Sequence, residues 1–185
     1  MKVKCLKMTS FRGIGDLTLE FPDNEPTVFI GVNGVGKSSI LECLAILLSW
    51  LIARIQFDAN ARGTFIRRQD GPLVSGRQQD LANGRSFSPQ DIKNGGNETH
   101  NEITISFDSQ EVKWSINTVE TGLTIKLEKE LDNLDRVANK MRHQWEESSE
   151  ANIPVVVYYP VNRVVLDIPL EIQYSQADSD APRGN

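Results

Sequence analysis

The sequence predicts an α/β fold: a mixed sheet around one apolar helix, an antiparallel meander, and one long amphipathic helix. Three observations lead there. The apolar run Thr27-Val28-Phe29-Ile30 feeds the glycine-rich stretch Gly31-Val32-Asn33-Gly34-Val35-Gly36-Lys37-Ser38, and a long apolar segment follows. Period-two alternation, the mark of half-buried strands, occurs before that stretch and again after residue 101. From Leu127 onward the apolar spacing switches to alternating steps of four and three.

Residues 2–9 and 16–21 read as strands. In the second, Leu17, Leu19 and Phe21 alternate with Asp16, Thr18 and Glu20. The glycines in Arg12-Gly13-Ile14-Gly15 predict a turn, and hence a hairpin. Pro22 to Pro26 marks a second turn. Thr27 to Ile30 is continuously apolar, the pattern of a central parallel strand covered on both faces. A helix is predicted from near Lys37 to about Arg54. Residues 57–100 form a loop-rich insertion full of Gly, Asn, Arg, Gln and Ser. Strand patterns return at Glu102–Phe107, Val112–Val119 and Leu123–Leu127. Leu127, Leu131, Leu134, Ala138, Met141 and Trp145 then outline an amphipathic helix over 127–150. Ile153 to Tyr159 is β-branched and aromatic, a further buried strand. The organisation expected is one lobe over residues 1–172, with the insertion and the helix inside it, and a frayed tail over 173–185.

The chain has 185 residues, with 20 Lys and Arg against 25 Asp and Glu, a formal net charge of −5. An acidic total excludes a chain that is basic all over in the manner of a nucleic-acid clamp. Cys5 and Cys43 lack metal-ligand spacing, and Cys43 lies in an apolar run, so it reads as a buried, reduced thiol. The alternating N-terminus has no signal-peptide core. Ile40 to Ile55 is apolar apart from Glu42, Ser49 and Arg54, shorter than the roughly 20 residues of a membrane span. The expectation is a soluble, cytoplasmic protein. His100 and His143 are isolated and read as surface residues, while Trp114 and Trp145 read as core anchors. Arg62, Arg67 and Arg68, near Phe57 and Phe65, read either as a solvated loop or as a nucleic-acid contact.

Gly31 to Ser38 satisfies the pattern G-x-x-x-x-G-K-[ST] in full. That spacing suits a polyphosphate: the backbone N–H groups turn inward, and a helix start adds its unpaired amides and positive dipole end. Lys37 then supplies a point charge to the β- and γ-phosphates, and the Ser38 hydroxyl is placed to ligate Mg²⁺. The ligand expected is ATP with Mg²⁺. The residues assigned to it are Gly31, Asn33, Gly34, Val35, Gly36, Lys37, Ser38 and Ser39, with Ser38 on the metal.

Ser10-Phe11-Arg12-Gly13-Ile14, the strand Asp16 to Phe21, and Gly31 through Ser38-Ser39-Ile40-Leu41-Glu42 resemble the opening of the ABC-type P-loop ATPases. The subset is that of RecF, the SMC proteins, double-strand-break repair ATPases and OLD-family nucleases. The resemblance implies the N-terminal lobe of such an ATPase, working as a homo-oligomer through its ATPase lobes. It also implies a place for Arg12 near the nucleotide; an ordinary hairpin-turn residue is the other reading. Pro154 to Arg163, followed by Asp167-Ile168-Pro169, is similar to the ATPase subunit PtuA of Septu-type anti-phage systems, which also accompanies some retrons. That similarity implies an HNH nuclease partner, PtuB, and contact with retron RNA or DNA or with phage DNA. Asp91-Ile92-Lys93-Asn94-Gly95 is weakly similar to the wider group. After the strand at 153–159 the group carries a loop that senses the γ-phosphate, often through Gln. Here Asn162 and Arg163 stand there, so Arg163 is either a phosphate sensor or a surface charge.

No Leu-Ser-Gly-Gly-like signature and no apolar strand ending in Asp-Glu occurs in the sequence. In the group, both elements lie in a C-terminal lobe that is expected to be missing from these residues. The chain alone then has no complete hydrolytic site, because the second carboxylate for Mg²⁺ and the base for the attacking water are absent. Three functions compete: an ATPase that regulates a partner nuclease, a nucleotide-holding scaffold without turnover, and a fragment of a DNA-repair or SMC-like ATPase. A P-loop kinase or GTPase is disfavoured, since no Asn-Lys-x-Asp base-reading motif occurs.

Overall fold

Two strands, β1 (Lys2–Phe11) and β2 (Ile14–Glu20), form the predicted hairpin, with Leu6 opposite Leu19, Met8 opposite Leu17 and Phe11 opposite Ile14. The computed structural model describes residues 1–56, 83–122, 124–147 and 154–160. Helix α1 spans Lys37–Gln56, β3 Glu98–Phe107, β4 Gln110–Thr121, β5 Thr124–Glu130 and α2 Asp132–Glu147. The five strands form one antiparallel sheet in the order β2-β1-β3-β4-β5. The meander of β3, β4 and β5 follows the predicted alternation. Val112, Trp114 and Ile116 face the core, and Lys113 faces out.

Both helices pack on one face of the sheet. Leu6, Met8 and Phe11 of β1, with Ile103 and Ile105 of β3, meet Cys43, Leu47, Trp50 and Leu51 of α1 in a single core. Leu134, Val137, Ala138 and Met141 of α2 join it. Each fully buried apolar side chain contributes about 1.5–3 kcal/mol, so this cluster dominates the stability. The indole Nε1 of Trp114 donates to Leu47 O at 3.1 Å, which satisfies its one polar atom inside the core. The α1 helix is long and apolar enough to cross a membrane by length and composition alone. In this structure its residues Cys43, Ile46, Leu47, Trp50, Leu51, Arg54 and Ile55 are buried within the protein. At its C-terminal end, Arg142 of α2 donates to the carbonyls of Arg54 (2.6 Å) and Ile55 (3.3 Å). A cation on those carbonyls complements the negative pole of the helix.

Four expectations need correction. Thr27 to Ile30 is not a strand: it makes no ladder with any described strand, and Ile30 is 91% exposed. Continuous apolar character marks a strand only where neighbours cover both faces, and the described residues supply none. The helix predicted over 127–150 begins at Asp132, because Leu127 pairs with Thr118 inside β5. Trp145 is 50% exposed instead of anchoring the core. The buried seam of α2 stops at Met141, and beyond it Arg142 and Trp145 line a cleft of about 330 Å³ at the end of α1. Residues 154–160 are extended but pair with no described strand. Val156 and Tyr158 turn inward while Val155, Val157 and Tyr159 face out, Val155 being 84% exposed. Phe57, Arg62, Phe65, Arg67, Arg68, Asn162, Arg163, Asp167 to Pro169 and the 173–185 tail lie outside the described residues.

Candidate phosphate-binding site

The stretch 31–36 arrives directly at the start of α1. Gly34 and Gly36 adopt positive φ, 84° and 100°. At Gly36 this matters twice. The left-handed backbone disfavours any side chain, and a Cβ there would lie 3.3 Å from Ile14 Cδ1 of the hairpin. Ile14 therefore seats the loop against the sheet. The first helical bond of α1 runs from Ile40 N–H to Gly36 O at 3.0 Å. The amides of Lys37, Ser38 and Ser39 precede it and have no acceptor within the helix. The first turn of α1 holds no acidic side chain to offset its positive pole. Lys37 Nζ bends back to donate to Gly31 O and Val32 O, each at 2.7 Å, closing the loop into a ring. Gly31, Asn33, Gly34, Val35 and Ser38 are exposed, with Lys37 and Ser39 half-buried. Gly36 is half-buried as well, so all eight residues assigned from the motif share one accessible rim.

This arrangement fits a polyphosphate: free helix-start amides, two glycines that leave the backbone approachable, and one ammonium. It fits a self-sufficient metal centre poorly. Among the described residues no group of three His, Cys, Asp or Glu could hold a metal ion. Ser38 can offer one hydroxyl, so Mg²⁺ at this rim would depend on the phosphates for most of its ligands.

Arg12 stands on the hairpin turn at φ 51°. Its Nε donates to Asp91 Oδ1 at 2.8 Å, its backbone N–H donates to Asp91 O at 2.7 Å, and its guanidinium carbon lies 5.1 Å from the Phe11 ring centroid. Asp91 belongs to the returning segment 83–93, which runs beside the end of β1: Phe11 bridges Ile92, and Lys93 N–H donates to Ser10 O. Phe87 anchors that segment edge-to-face on Phe11, with ring centroids 5.3 Å apart. Burial raises the Asp91 pKa, but bonds from Ser88 N–H, Arg12 and the Ser88 hydroxyl outweigh it and hold the carboxyl below its ordinary value.

A second polar group ties the other side of α1. Glu42, one turn beyond Ser38, accepts from Tyr158 Oη at 2.6 Å and pairs with Arg85. Arg85 N–H donates to Ser49 Oγ and Arg85 O accepts from Trp50 Nε1. Burial raises the Glu42 pKa, yet the Tyr158 and Arg85 bonds prevail and lower it. Asp91, Arg85 and Tyr158 were not assigned roles from the sequence. For Asp91 a signal existed, since Ser88-Pro89-Gln90-Asp91 has the S-x-x-D capping spacing. An apolar cavity of about 540 Å³ lies further along α1, between Ala45, Ile52, Gly84 and Val156, away from the loop.

Comparison with known proteins places the match across most of the chain. The sequence family described as AAA domain matches residues 5–180. Uncharacterised proteins of Mycobacterium bovis and of two strains of Mycobacterium tuberculosis are 44% identical over 50 residues. That alignment covers 27% of this chain and 6% of each relative, so the chain spans a small fraction of their length. A solved structure from work on the structural biochemistry of ATP-driven dimerization and DNA stimulated activation of SMC ATPases is 14% identical. It aligns over 75% of this chain and 78% of that chain, with a TM-score of 0.38.

Proposed function

The chain belongs to the AAA domain family, and from that premise we propose that it forms the ATP-gripping lobe of a cytoplasmic P-loop ATPase. The observation that carries this reading is the ring of Gly31 to Lys37 at the start of α1, with Gly34 and Gly36 in left-handed conformations and no acidic residue in the first helical turn. The amides of Lys37, Ser38 and Ser39 hold phosphate oxygens, and Lys37 exchanges its carbonyl partners for them. Ser38 contributes a hydroxyl to Mg²⁺, which when bound with ATP neutralises phosphate charge. Arg12, on the hairpin turn whose Ile14 lies against the loop, is assigned to the same phosphates. The finer reading is an ATPase subunit of an anti-phage defence complex that acts as a homo-oligomer and regulates an HNH nuclease. It rests on the similarity of Pro154 to Arg163 to the Septu-type subunits.

The alternative reading is a nucleotide-holding scaffold without turnover. Isothermal titration with a non-hydrolysable ATP analogue tests the shared premise. Lys37→Ala should weaken binding at least about a hundredfold, the equivalent of losing charge-assisted bonds worth about 3 kcal/mol, without unfolding the protein. Equal affinity in the mutant removes Lys37 from this role. Phosphate release by the full-length protein then separates the two readings.

A further inference from the structure

The reading of the loop as a nucleotide site leaves open what sets the direction of Arg12. A long cation on a two-residue hairpin turn would ordinarily sweep many rotamers, and fixing it on a ligand costs entropy. Here two contacts hold it in one direction. Its Nε is bonded to Asp91 Oδ1 at 2.8 Å, and its guanidinium lies against Phe11. Among the described residues nothing accepts from its two Nη groups.

Asp91 is itself held by hydrogen bonds. Its second carboxylate oxygen accepts from Ser88 N–H at 2.8 Å and from Ser88 Oγ at 2.9 Å, and its own N–H donates to Ser88 O at 2.9 Å. Asp91 is 6% exposed. Every polar atom it has is thus used either to fix Asp91 or to hold Arg12. The clamp also sits beside the loop. Ile14, two residues beyond Arg12, lies 3.3 Å from where a Cβ on Gly36 would stand, and the Arg12 charge is felt at Glu42 and Cys43 near the start of α1.

We propose that Asp91 is a positioning residue that holds the Arg12 guanidinium by its Nε edge, so that the free Nη edge meets the polyphosphate bound at the loop. This rests on the nucleotide reading above. Charge alone makes the opposite demand. An aspartate beside the arginine cancels part of its attraction for phosphate, so removing the negative charge should tighten binding if charge were all that counted. If orientation counts, removing it weakens binding.

The test is equilibrium binding of a non-hydrolysable ATP analogue and of inorganic tripolyphosphate to the full chain, with a melting curve for every variant. Arg12→Ala should weaken both ligands about tenfold, the effect of one lost bond to a charged group. Asp91→Asn should weaken both ligands by about three- to tenfold, and the double variant should be no weaker than Arg12→Ala, since Asp91 acts through Arg12. A lowered melting temperature with unchanged or tighter binding in Asp91→Asn overturns the proposal, as does an additive double variant. Should Asp91→Asn not fold, Arg12→Lys decides. It keeps the charge but lacks the planar fork, so it should fall to the Arg12→Ala level, and wild-type affinity would overturn the proposal. Lys37→Ala serves as the reference. If the wild type binds neither ligand, the nucleotide reading and this inference fail together. If Lys37→Ala loses binding while Arg12→Ala does not, only this inference fails.

Discussion

Gly84→Ala places one methyl group where the structure has no room for it. A Cβ on Gly84 would lie 2.5 Å from the backbone nitrogen of Trp50 and 2.6 Å from its indole Cδ1 and Cγ. Trp50 is fully buried, and the nearest obstacle is backbone, so no rotamer change relieves the clash. The segment 83–85 must lift away from α1. Lifting it strains the packing by about 1–3 kcal/mol. It also stretches the bonds from Trp50 Nε1 to Arg85 O (2.6 Å) and from Arg85 N–H to Ser49 Oγ (2.7 Å), each worth about 1 kcal/mol. A loss of about 3 kcal/mol follows. For a domain of this size that lowers the melting temperature by about 6–12 °C, and with an m-value near 2 kcal/mol/M it moves the urea midpoint by about 1.5 M. Circular dichroism on heating and in urea reads both. Gly13→Ala is the control, because nothing lies within 4 Å of a Cβ there, and it should shift stability by less than about 0.5 kcal/mol. If Gly84→Ala melts within about 1 °C of wild type, the contact between the returning segment and α1 has been misjudged.

Arg142→Gln removes the donors that cap Arg54 O and Ile55 O, and urea denaturation should show a loss of about 1–2 kcal/mol. Cys43 is fully buried and its pKa is raised by burial first and by Asp91 second. A thiol reagent at neutral pH should therefore leave Cys43 unmodified in the folded protein and label it in urea, as peptide mass spectrometry would show. In Glu102, burial raises the pKa, but the Lys113 and Lys7 bonds lower it below the ordinary 4.5. A carboxyl whose folded pKa is depressed stabilises the fold above its unfolded pKa, and that share is lost as pH falls through the folded value. The urea midpoint should stay level down to about pH 5 and fall below about pH 4, with a flatter fall in Glu102→Gln.

The phosphate loop, the hairpin and the meander were legible in the sequence because each is a local pattern. A fixed spacing of glycines and lysine reports one loop, and period-two alternation reports one half-buried strand. What failed to show depends on partners far along the chain. Arg12 meets Asp91 across 79 residues, and Glu42 meets Tyr158 across 116; no periodicity encodes such pairs. Leu127 illustrates competing local signals. Its four-residue step to Leu131 suits a helix, but pairing with Thr118 keeps it in β5, and the helix waits for Asp132 and Asp135, whose charges suit its first turn. At Thr27 to Ile30 the apolar run gives the right chemistry for a covered strand without saying where the cover comes from.

The helix that opens at the phosphate loop is also the helix on which Trp50, Leu47 and Leu51 are fully buried. Binding at one end of α1 therefore reaches the hydrophobic interior without any intervening hinge or linker. By mass action, a ligand that recognises only the folded loop draws the whole unfolding equilibrium toward the native state. Occupancy of the rim should accordingly be measurable as resistance of the entire sheet and both helices to heat, with no need for a reporter near the loop.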